Sequence, residues 1–394
     1  MSRLACPYCY NRIDGNRLWY QCTGRGTPGR AGCAKKTDDD RARWAGFREA
    51  VRPSFPPASR LSFGPGKADC PDCGATSRIR VCPKCHTPLS SSFGDSTSPL
   101  IAMVGAKGTG KSVYLTVLAH ELTNSMRRRF GAAVRMTGAV KEPIREYVGS
   151  VYSDRSLMSQ TPQAVGGRKE PTVFEWRQQE QGGLAARLKG YRTTYLSFYD
   201  TAGEDLNSNE QTQDLVYLNA ADALILLLDP FMIPAARDQI RLPPQAIRSE
   251  QPTMEVLGRV TDQLRREHDI RSSRRIKIPV AVAFAKIDAF FDVLGPEHPL
   301  LRAPSAAGPY DDSAGEDTHE QVKALLHQWE ADDVDDYLEA NYANFRYFPV
   351  SALGAPPDYA SGEVDRNGVR PFRVTEPLLW LLSQFNVVPK QRQR

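Results

Sequence analysis

The chain has 394 residues, of which 41% are hydrophobic and 25% are charged, a composition that is typical of globular proteins and excludes disorder along the whole chain. The formal net charge of +5 is too small for a protein that coats a polyanion. No apolar run approaches the roughly 18–20 residues needed to cross a bilayer, and the first residues lack the apolar stretch of about 7–15 residues found in secretory signals. We therefore predict a cytoplasmic protein without a membrane span.

The cysteines are confined to the N-terminal part of the chain. All 8 of them precede residue 86, and in a reducing cytosol such a group binds metal rather than forming disulfides. Changes in composition divide this part into a four-cysteine module (1–49), a linker rich in Pro, Ser and Gly (50–66), a zinc ribbon (67–89) and a second linker (90–99).

Each cysteine segment is predicted to bind one structural zinc ion, because four thiolates suit tetrahedral zinc and leave no position for water. The ligands in residues 67–89 form two C-x2-C pairs: Cys70, Cys73, Cys82 and Cys85. Those in residues 1–49 are more loosely spaced: Cys6, Cys9, Cys22 and Cys33. Redox chemistry is the alternative. Since metal replaces a core in modules of this size, we expect zinc loss to release the modules and leave the rest of the chain folded.

Residues 100–389 are predicted to form one α/β domain, followed by a tail (390–394). Short apolar runs alternate with longer amphipathic segments, the pattern of strands joined by crossover helices. The predicted strands are 100–104, 172–177, 194–199, 223–228, 280–285 and 347–350, and the predicted helices are 111–126, 254–267, 320–341 and 376–384. Segments 141–168, 231–250 and 289–318 show no clear period and are expected to be insertions or loops.

A phosphate-binding motif follows the first predicted strand of this domain. Residues 105–112 read GAKGTGKS, which matches G-x-x-x-x-G-K-[ST] between a strand and a helix. Glycines allow successive backbone N–H groups to point at phosphate oxygens, and the helix start adds partial positive charge. We expect Lys111 to reach the outer phosphates and Ser112 to ligate magnesium. The predicted contact residues are Gly105, Lys107, Gly108, Thr109, Gly110, Lys111, Ser112 and Val113.

A second motif, D-x-x-G, lies at the end of another predicted strand. Residues 200–203 read DTAG. Asp200 can hold a magnesium-bound water, and the backbone N–H of Gly203 can contact the terminal phosphate only while that phosphate is present.

Two weaker elements end later strands and point to a guanine base. Asp288, in the sequence AKID, can accept hydrogen bonds from the N1–H and the exocyclic amine of guanine, a donor pair that adenine lacks. Lys286 can pack its aliphatic stem along the base. Ser351 and Ala352 follow the last predicted strand and can present a backbone N–H to the guanine oxygen.

In this order, the four elements resemble the Ras-like GTPases of the translation-factor-related P-loop class over about residues 100–385. With zinc ribbons in front and long insertions, the chain looks most like the bacterial double-GTPase proteins of multi-component GTPase-associated systems. The resemblance implies a three-layer P-loop NTPase fold with a mostly parallel six-stranded sheet. It also implies binding of GTP or GDP with Mg²⁺, and hydrolysis of GTP to GDP and phosphate.

The resemblance further implies a switch threonine that binds magnesium, and Thr161 is our choice, with Thr172 next. Lys111, Thr161, Gly203 and Glu204 would then surround the reacting phosphate. Glu204 stands where Ras-like proteins place a water-orienting Gln, so we expect slow hydrolysis without a partner. Ala285 replaces the usual Asn or Thr of the base motif, which removes one polar contact and weakens guanine preference.

We predict a GTP-hydrolysing molecular switch whose zinc modules and switch regions bind protein partners. One alternative is a non-hydrolysing nucleotide-binding scaffold, which Glu204 and Ala285 favour. Another is a nucleic-acid-associated NTPase, because residues 1–99 carry 16 basic and 8 acidic side chains. Protein partners remain preferred, since two four-thiolate zinc centres would offset part of that positive charge.

Overall fold

The computed structural model describes residues 3–57, 66–91, 93–95, 97–137, 141–157, 171–179, 190–200, 216–247 and 252–391. The strands are β1 (Arg3–Ala5), β2 (Arg12–Asp14), β3 (Trp19–Gln21), β4 (Ser54–Phe55), β5 (Ala68–Asp69), β6 (Thr76–Ser77), β7 (Arg80–Val81), β8 (Leu100–Gly105), β9 (Ala133–Thr137), β10 (Thr172–Gln179), β11 (Tyr191–Asp200), β12 (Ala223–Leu228), β13 (Val280–Phe284), β14 (Tyr310–Asp311), β15 (Phe345–Pro349) and β16 (Lys390–Gln391). The α-helices are α1 (Asp39–Ala45), α2 (Lys111–Glu121), α3 (Arg127–Phe130), α4 (Lys141–Tyr152), α5 (Val216–Ala220), α6 (Pro234–Arg237), α7 (Thr253–Glu267), α8 (Phe291–Leu294), α9 (Asp312–Gln328), α10 (Asp332–Asn341) and α11 (Glu376–Gln384).

Among the described residues, seven strands form one large sheet in the order β15-β13-β12-β8-β11-β10-β9. The five strands from β15 to β11 pair in parallel, whereas β10 is antiparallel to both β11 and β9. The domain is therefore α/β with a mostly parallel sheet, and the six predicted strands are confirmed. The sheet has a seventh strand, β9, so the predicted number of six is wrong. The sequence did not reveal β9 because it is a short edge strand of exposed and half-buried residues without an apolar run.

Helices cover both faces of the sheet. Leu224 and Leu226 of β12 belong to one core, which contains side chains of α7, α9 and α10. Ile225 and Leu227 point to the other core, which contains side chains of α2 and α11. Both faces of β12 are buried, and this explains why its sequence is apolar without alternation.

All three segments predicted to lack regular structure contain helices. Segment 231–250 contains the short helix α6 (Pro234–Arg237). In segment 141–168, α4 occupies Lys141–Tyr152. In segment 289–318, α9 begins after Asp311, whose Oδ1 accepts a hydrogen bond from the backbone N–H of Ala314 at 3.1 Å. Prolines and glycines before Asp311 mask the helical period in sequence. None of the described helices combines the length and the apolarity that a membrane crossing needs.

The C-terminal residues are tied back to the domain. Strand β16, which lies in the predicted tail, pairs in parallel with β14. The Lys390 Nζ atom also lies 2.9 Å from the Asp312 Oδ2 atom at the start of α9. Lys390 and Gln391 are thus part of the sheet domain.

The two cysteine segments interlock into one unit, here called the cysteine unit (residues 3–57 and 66–91). Strand β3 lies between β4 and β7, so it pairs with one strand that precedes residues 58–65 of the predicted linker and one that follows them. Residues 1–49 and 67–89 are therefore not two separate modules. The sequence predicted separate modules because the cysteines were grouped by their distance along the chain, which carries no information about the pairing of β3 with β7.

The cysteine unit also shares a core with the large sheet. The Ser197 hydroxyl of β11 donates to the carbonyl oxygen of Pro7 at 3.1 Å, and Arg12 Nη2 lies 2.5 Å from Asp222 Oδ1. Phe93 packs against Tyr195 of β11 with ring centroids 5.3 Å apart, in a cluster that includes cysteines of the unit. Because these contacts join the unit to the α/β domain, we now expect zinc loss to destabilise the sheet as well, unlike the expectation from the sequence.

Replacing Phe93 by Ala should destabilise both parts of the chain together. Its side chain is 0% exposed, and removal of a buried aromatic ring costs about 3–5 kcal/mol. We expect urea denaturation to show this loss in one transition. Tyr191 on the same strand as Tyr195 is 53% exposed, so the control Tyr191→Ala should cost about 0.5 kcal/mol or less. Equal losses for the two variants would contradict the shared core.

Candidate functional site

The carboxyl ends of the parallel strands meet at one edge of the sheet. Gly105, the last residue of β8, lies beside Leu227 of β12. Phe284, the last residue of β13, lies beside Leu228 and Pro349, which end β12 and β15. The loops that follow these strands start side by side, at the edge where open α/β sheets bind their ligands.

The glycine-rich loop after β8 (residues 105–112) has a conformation that depends on its glycines. Gly108 and Gly110 have φ angles of 81° and 92°, in the region that favours glycine. At Gly105, a Cβ atom would lie 2.6 Å from a carbonyl oxygen of β12, which excludes a side chain. The Thr109 hydroxyl closes the turn by donating to the Ala106 carbonyl oxygen at 2.9 Å. Helix α2 begins at Lys111, within the last two residues of the loop, so the N–H groups of its first turn point towards the loop instead of bonding within the helix.

Lys111 is buried against this loop. Its Nζ atom donates to the carbonyl oxygens of Gly105 and Ala106 at 2.6 and 2.9 Å. These bonds hold the ammonium group against the loop. Together with the positive end of the α2 dipole, the loop forms a cradle suited to an anion.

The side chain of Lys286 is fixed between two strand ends. Its backbone has a φ of 55°, and its Nζ atom donates to Asp229 Oδ2 at 2.5 Å. The same Nζ lies 4.9 Å from the centre of the Phe231 ring. Asp229 is buried and follows β12 directly. Sequence analysis missed it, although a carboxylate between an apolar strand and Pro230 is a signal for a residue at a strand end.

Asp288 lies beside Ser351 at the neighbouring strand end. Burial raises the pKa of the Asp288 carboxyl above its ordinary value, and a hydrogen bond with the Ser351 side chain opposes that rise. Ser351 is itself buried, and its hydroxyl oxygen accepts a hydrogen bond from the backbone N–H of Gly354 at 2.7 Å. A desolvated carboxylate favours ligands that donate hydrogen bonds to it, because those donors replace lost water.

One cavity of about 130 Å³ joins the glycine-rich loop to the base-motif residues. Predicted site residues in its wall are Gly108, Thr109, Gly110, Val113, Lys286, Asp288, Ser351 and Ala352. The wall also contains Leu157, Ala246 and Tyr359, which sequence analysis missed because they lie in segments without a motif. Ordinary ligand pockets measure about 300–1,000 Å³, so this cavity encloses one ring system rather than a whole nucleotide.

The remaining predicted site residues are placed only in part. Thr161, Gly203 and Glu204 lie outside the described residues. The backbone of Asp200 ends β11 beside Met103 of β8, on the same edge as the glycine-rich loop, and its side chain is also outside the described part. Lys107 is exposed on the loop, and Ser112 lies in the first turn of α2.

The thiols form two clusters, but not the two predicted groups. One cluster contains Cys6, Cys9, Cys82 and Cys85, and the other contains Cys22, Cys33, Cys70 and Cys73. Each cluster takes two cysteines from each segment, so the predicted grouping within residues 1–49 and 67–89 is wrong. The cause is the pairing of β3 with β7, which lays the two segments side by side.

The sulfur spacing in both clusters fits a tetrahedral zinc ion. The Sγ atoms of Cys6 and Cys85, and those of Cys9 and Cys82, are 3.8 Å apart. In the second cluster the corresponding pairs are 3.5 and 3.8 Å apart. Four sulfurs bound about 2.3 Å from one zinc ion are about 3.8 Å from one another. Because all four donors are thiolates, each cluster suits a structural metal.

The three Cys-Pro-x-Cys turns share one backbone geometry. The residue after the second cysteine is Tyr10, Gly74 or His86, with φ angles of 61°, 73° and 54°. Its N–H donates to the carbonyl oxygen of the first cysteine at 2.9, 2.8 and 3.0 Å, respectively. This turn brings the two thiols of each Cys-Pro-x-Cys motif together. Of the three residues with positive φ, only Gly74 is a glycine, so only this turn could be predicted from the sequence.

Backbone N–H groups support the thiolate form that binds metal. The N–H of Gly24 donates to Cys22 Sγ at 3.2 Å, and that of Lys84 donates to Cys82 Sγ at 3.3 Å. A hydrogen bond from the Ala75 N–H lowers the pKa of Cys73 to about 6. A lower pKa makes the thiolate available at neutral pH.

His86 is not a member of either cluster among the described residues. Its Nδ1 atom lies 2.9 Å from Asp38 Oδ2, and its ring stacks on Trp19 at a centroid distance of 5.1 Å. The histidine thus links β3 to the start of α1, which Asp38 caps.

Comparison with known proteins finds a distant relative that matches almost the whole chain, and no family model matches. The relative, from Mycolicibacterium smegmatis, is named "Putative ESX-1 scaffolding and assembly protein SaeC". It is 26% identical over 412 residues, which cover 97% of this chain and 99% of the relative. The similarity therefore extends over both the cysteine unit and the α/β domain.

Paired serine substitutions should reveal the crosswise grouping of the cysteines. The variant Cys9→Ser/Cys82→Ser removes ligands from one cluster, so we expect it to retain one zinc ion per chain. The matched variant Cys9→Ser/Cys22→Ser removes one ligand from each cluster and should lose both ions. Zinc content measured by native mass spectrometry separates these results. Grouping within each segment would give the reverse pattern.

Proposed function

We propose that the chain is a guanine-nucleotide-binding switch of the Ras-like P-loop type. The observation that carries the proposal is the single cavity whose wall contains both the glycine-rich loop and Asp288 with Ser351. Phosphates would lie on the cradle formed by the loop, Lys111 and the start of α2. The base would enter the cavity, whose volume suits one ring system.

Guanine is the base that this cavity fits best. Its N1–H and exocyclic amine donate in parallel, and Asp288 is a desolvated acceptor with two oxygens. Adenine presents a ring-nitrogen acceptor in place of N1–H, which leaves the carboxylate without one donor and weakens binding. Ala285 also lines the cavity and offers no polar side chain, so guanine selection rests on Asp288 alone among the residues of the AKID motif.

The site residues also suit hydrolysis of GTP to GDP and phosphate. Ser112, Thr161 and Asp200 would hold Mg²⁺ or its water ligands, and this ion supplies charge neutralisation at the transferring phosphate. Lys111 would stabilise the negative charge that develops there, and the Gly203 N–H would contact the terminal phosphate. Glu204 cannot donate an amide hydrogen bond to orient water, so hydrolysis without a partner is slow.

We further propose that both cysteine clusters bind zinc and that the cysteine unit binds protein partners. The sulfur spacing supports zinc, and the exposed segments of the unit are available for docking. The relative's name describes scaffolding and assembly, which supports protein partners ahead of nucleic acid. Failure to bind RNA or DNA even at low salt would remove the nucleic-acid alternative.

A non-hydrolysing scaffold is the second candidate function. Glu204, Ala285 and the name of the relative favour it. Single-turnover phosphate release from bound GTP distinguishes the two functions. Release from the wild-type chain that is lost in Lys111→Ala supports the switch, and no release with any protein partner supports the scaffold.

Substitution of Lys111 by Ala should abolish nucleotide binding while the chain stays folded. In titrations with fluorescent GTP, GDP and ATP, the wild-type chain should bind both guanine nucleotides more tightly than ATP. Lys111→Ala should lower GTP affinity by at least about 100-fold, since charge-assisted contacts to phosphate are strong. Lys277→Ala is the matched control, and we expect unchanged affinity because Lys277 is exposed, precedes β13 and does not line the cavity. Tighter binding of ATP than of GTP would overturn the guanine assignment.

Guanine binding should also weaken at acidic pH. The pKa of Asp288 is raised, so this carboxyl takes up a proton at higher pH than an ordinary aspartic acid does. A protonated carboxyl cannot accept both guanine hydrogen bonds, so GTP affinity should fall as the pH drops through this pKa. Titrations from pH 8 to pH 4.5 with GTP and ATP provide the measurement. An identical pH dependence for the two nucleotides would contradict this role of Asp288.

A further inference from the structure

The loop that follows β15 leaves the cavity and returns to it. We call residues 351–372 the strap. At its foot, Ser351 and Phe372 exchange backbone hydrogen bonds of 3.0 and 2.8 Å, and the Arg370 N–H donates to the Leu353 carbonyl oxygen at 2.9 Å. A Cβ atom on Gly354 would overlap the carbonyl oxygen of Arg370. The two arms of the strap are therefore too close for any residue but glycine at this position.

The tip of the strap is a closed turn. Asp358 Oδ1 accepts hydrogen bonds from the backbone N–H groups of Ala360 and Ser361 at 2.8 and 3.1 Å. The backbone of Asp358 also pairs with Glu363 and Gly362, at 2.9 and 2.8 Å. These bonds hold Tyr359 in a defined position, although the tip lies in an exposed loop.

The tip pairs with a distant segment of the chain, residues 155–157. The Leu157 N–H donates to the Gly362 carbonyl oxygen at 2.6 Å, and the Val364 N–H donates to the Arg155 carbonyl oxygen at 2.8 Å. The Arg155 side chain adds a hydrogen bond of 3.0 Å to the Arg366 carbonyl oxygen. This short antiparallel ladder fixes the end of the segment that follows α4.

Both partners of the ladder contribute to the wall of the cavity. Tyr359 and Pro357 come from the strap, and Leu157 comes from the opposite segment. A ring that filled the cavity would be enclosed by both the glycine-rich loop and these side chains. The ladder and the cavity are thus two parts of one local structure.

We infer that Tyr359 is a nucleotide-binding residue, and that a bound base stabilises the ladder between the strap and residues 155–157. The inference rests on the proposed function and deepens it. An aromatic wall contacts the face of any purine, so Tyr359 adds affinity without choosing between bases. Selection of guanine stays with Asp288, which reads the edge of the base. Base binding and the backbone position of residues 155–157 are therefore coupled.

Two measurements on the full-length chain test this inference. The first is the dissociation rate of fluorescently labelled GDP, which should rise about 10-fold in Tyr359→Ala, as expected for one lost contact between a base and an aromatic ring. Tyr359→Phe should keep the wild-type dissociation rate, because the aromatic ring remains. Tyr191→Ala, which removes an exposed aromatic side chain elsewhere, should also leave the rate unchanged. The ratio of GTP to ATP affinity should be the same in Tyr359→Ala as in the wild type.

The second measurement is hydrogen exchange at the Leu157 and Val364 amides, which form the ladder. Saturating GDP should slow both at least about 10-fold in the wild type, and less in Tyr359→Ala. Wild-type dissociation in Tyr359→Ala together with unchanged exchange at the two amides would overturn the inference and leave the proposed function standing. A wild-type chain that binds no guanine nucleotide would overturn both.

Discussion

Parallel pairing of β8, β12, β13 and β15 in one register is the constraint on which the rest of the structure depends. It sets Gly105, Phe284 and Pro349 at a common edge, so loops that are distant in the chain enclose one cavity. Both faces of the central strands are buried. A slip of one residue would turn every side chain towards the other core, so the register is strongly fixed. The geometry of the site follows from the packing of these cores.

The cysteine unit supports the opposite end of the same sheet. Tyr195 belongs to the cluster that joins the unit to β11, and it precedes Ser197, which lies beside the first residue of β8. Asp222 contacts both parts of the chain, since it pairs with Arg12 and accepts a hydrogen bond from the Leu100 N–H at 3.0 Å. Metal in the adjoining cluster would thus stabilise the sheet and leave its carboxyl edge open to ligand.

The two cysteine clusters differ in what surrounds them. The cluster that contains Cys6 and Cys82 belongs to the core shared with the sheet. The cluster that contains Cys22 and Cys73 has a smaller core of its own, with Tyr20 and Phe55. The second cluster therefore organises a peripheral part of the unit, where the exposed segments that could contact another protein lie.

Features of the chain that depend on near neighbours could be predicted from the sequence. The buried strand 223–228 was evident from its apolar run, and the loop at 105–112 from the spacing of its glycines. Long-range pairing decided the rest. The crosswise cysteine clusters follow from the pairing of β3 with β7. The contact of Lys286 with Asp229 follows from the pairing of β12 with β13, which brings the ends of these two strands together. The ladder between Leu157 and Gly362 joins two segments without a motif, and spacing along the chain carries no information about it.

The central claim is that separate loops at one sheet edge bind one guanine nucleotide. Amide hydrogen exchange of the whole chain, measured with and without GTP and Mg²⁺, tests it most directly. The account predicts that residues 105–113, 285–289 and 350–354 gain protection together, and that ATP at the same concentration produces much less protection. Protection of only one of these segments, or of none, would contradict the claim.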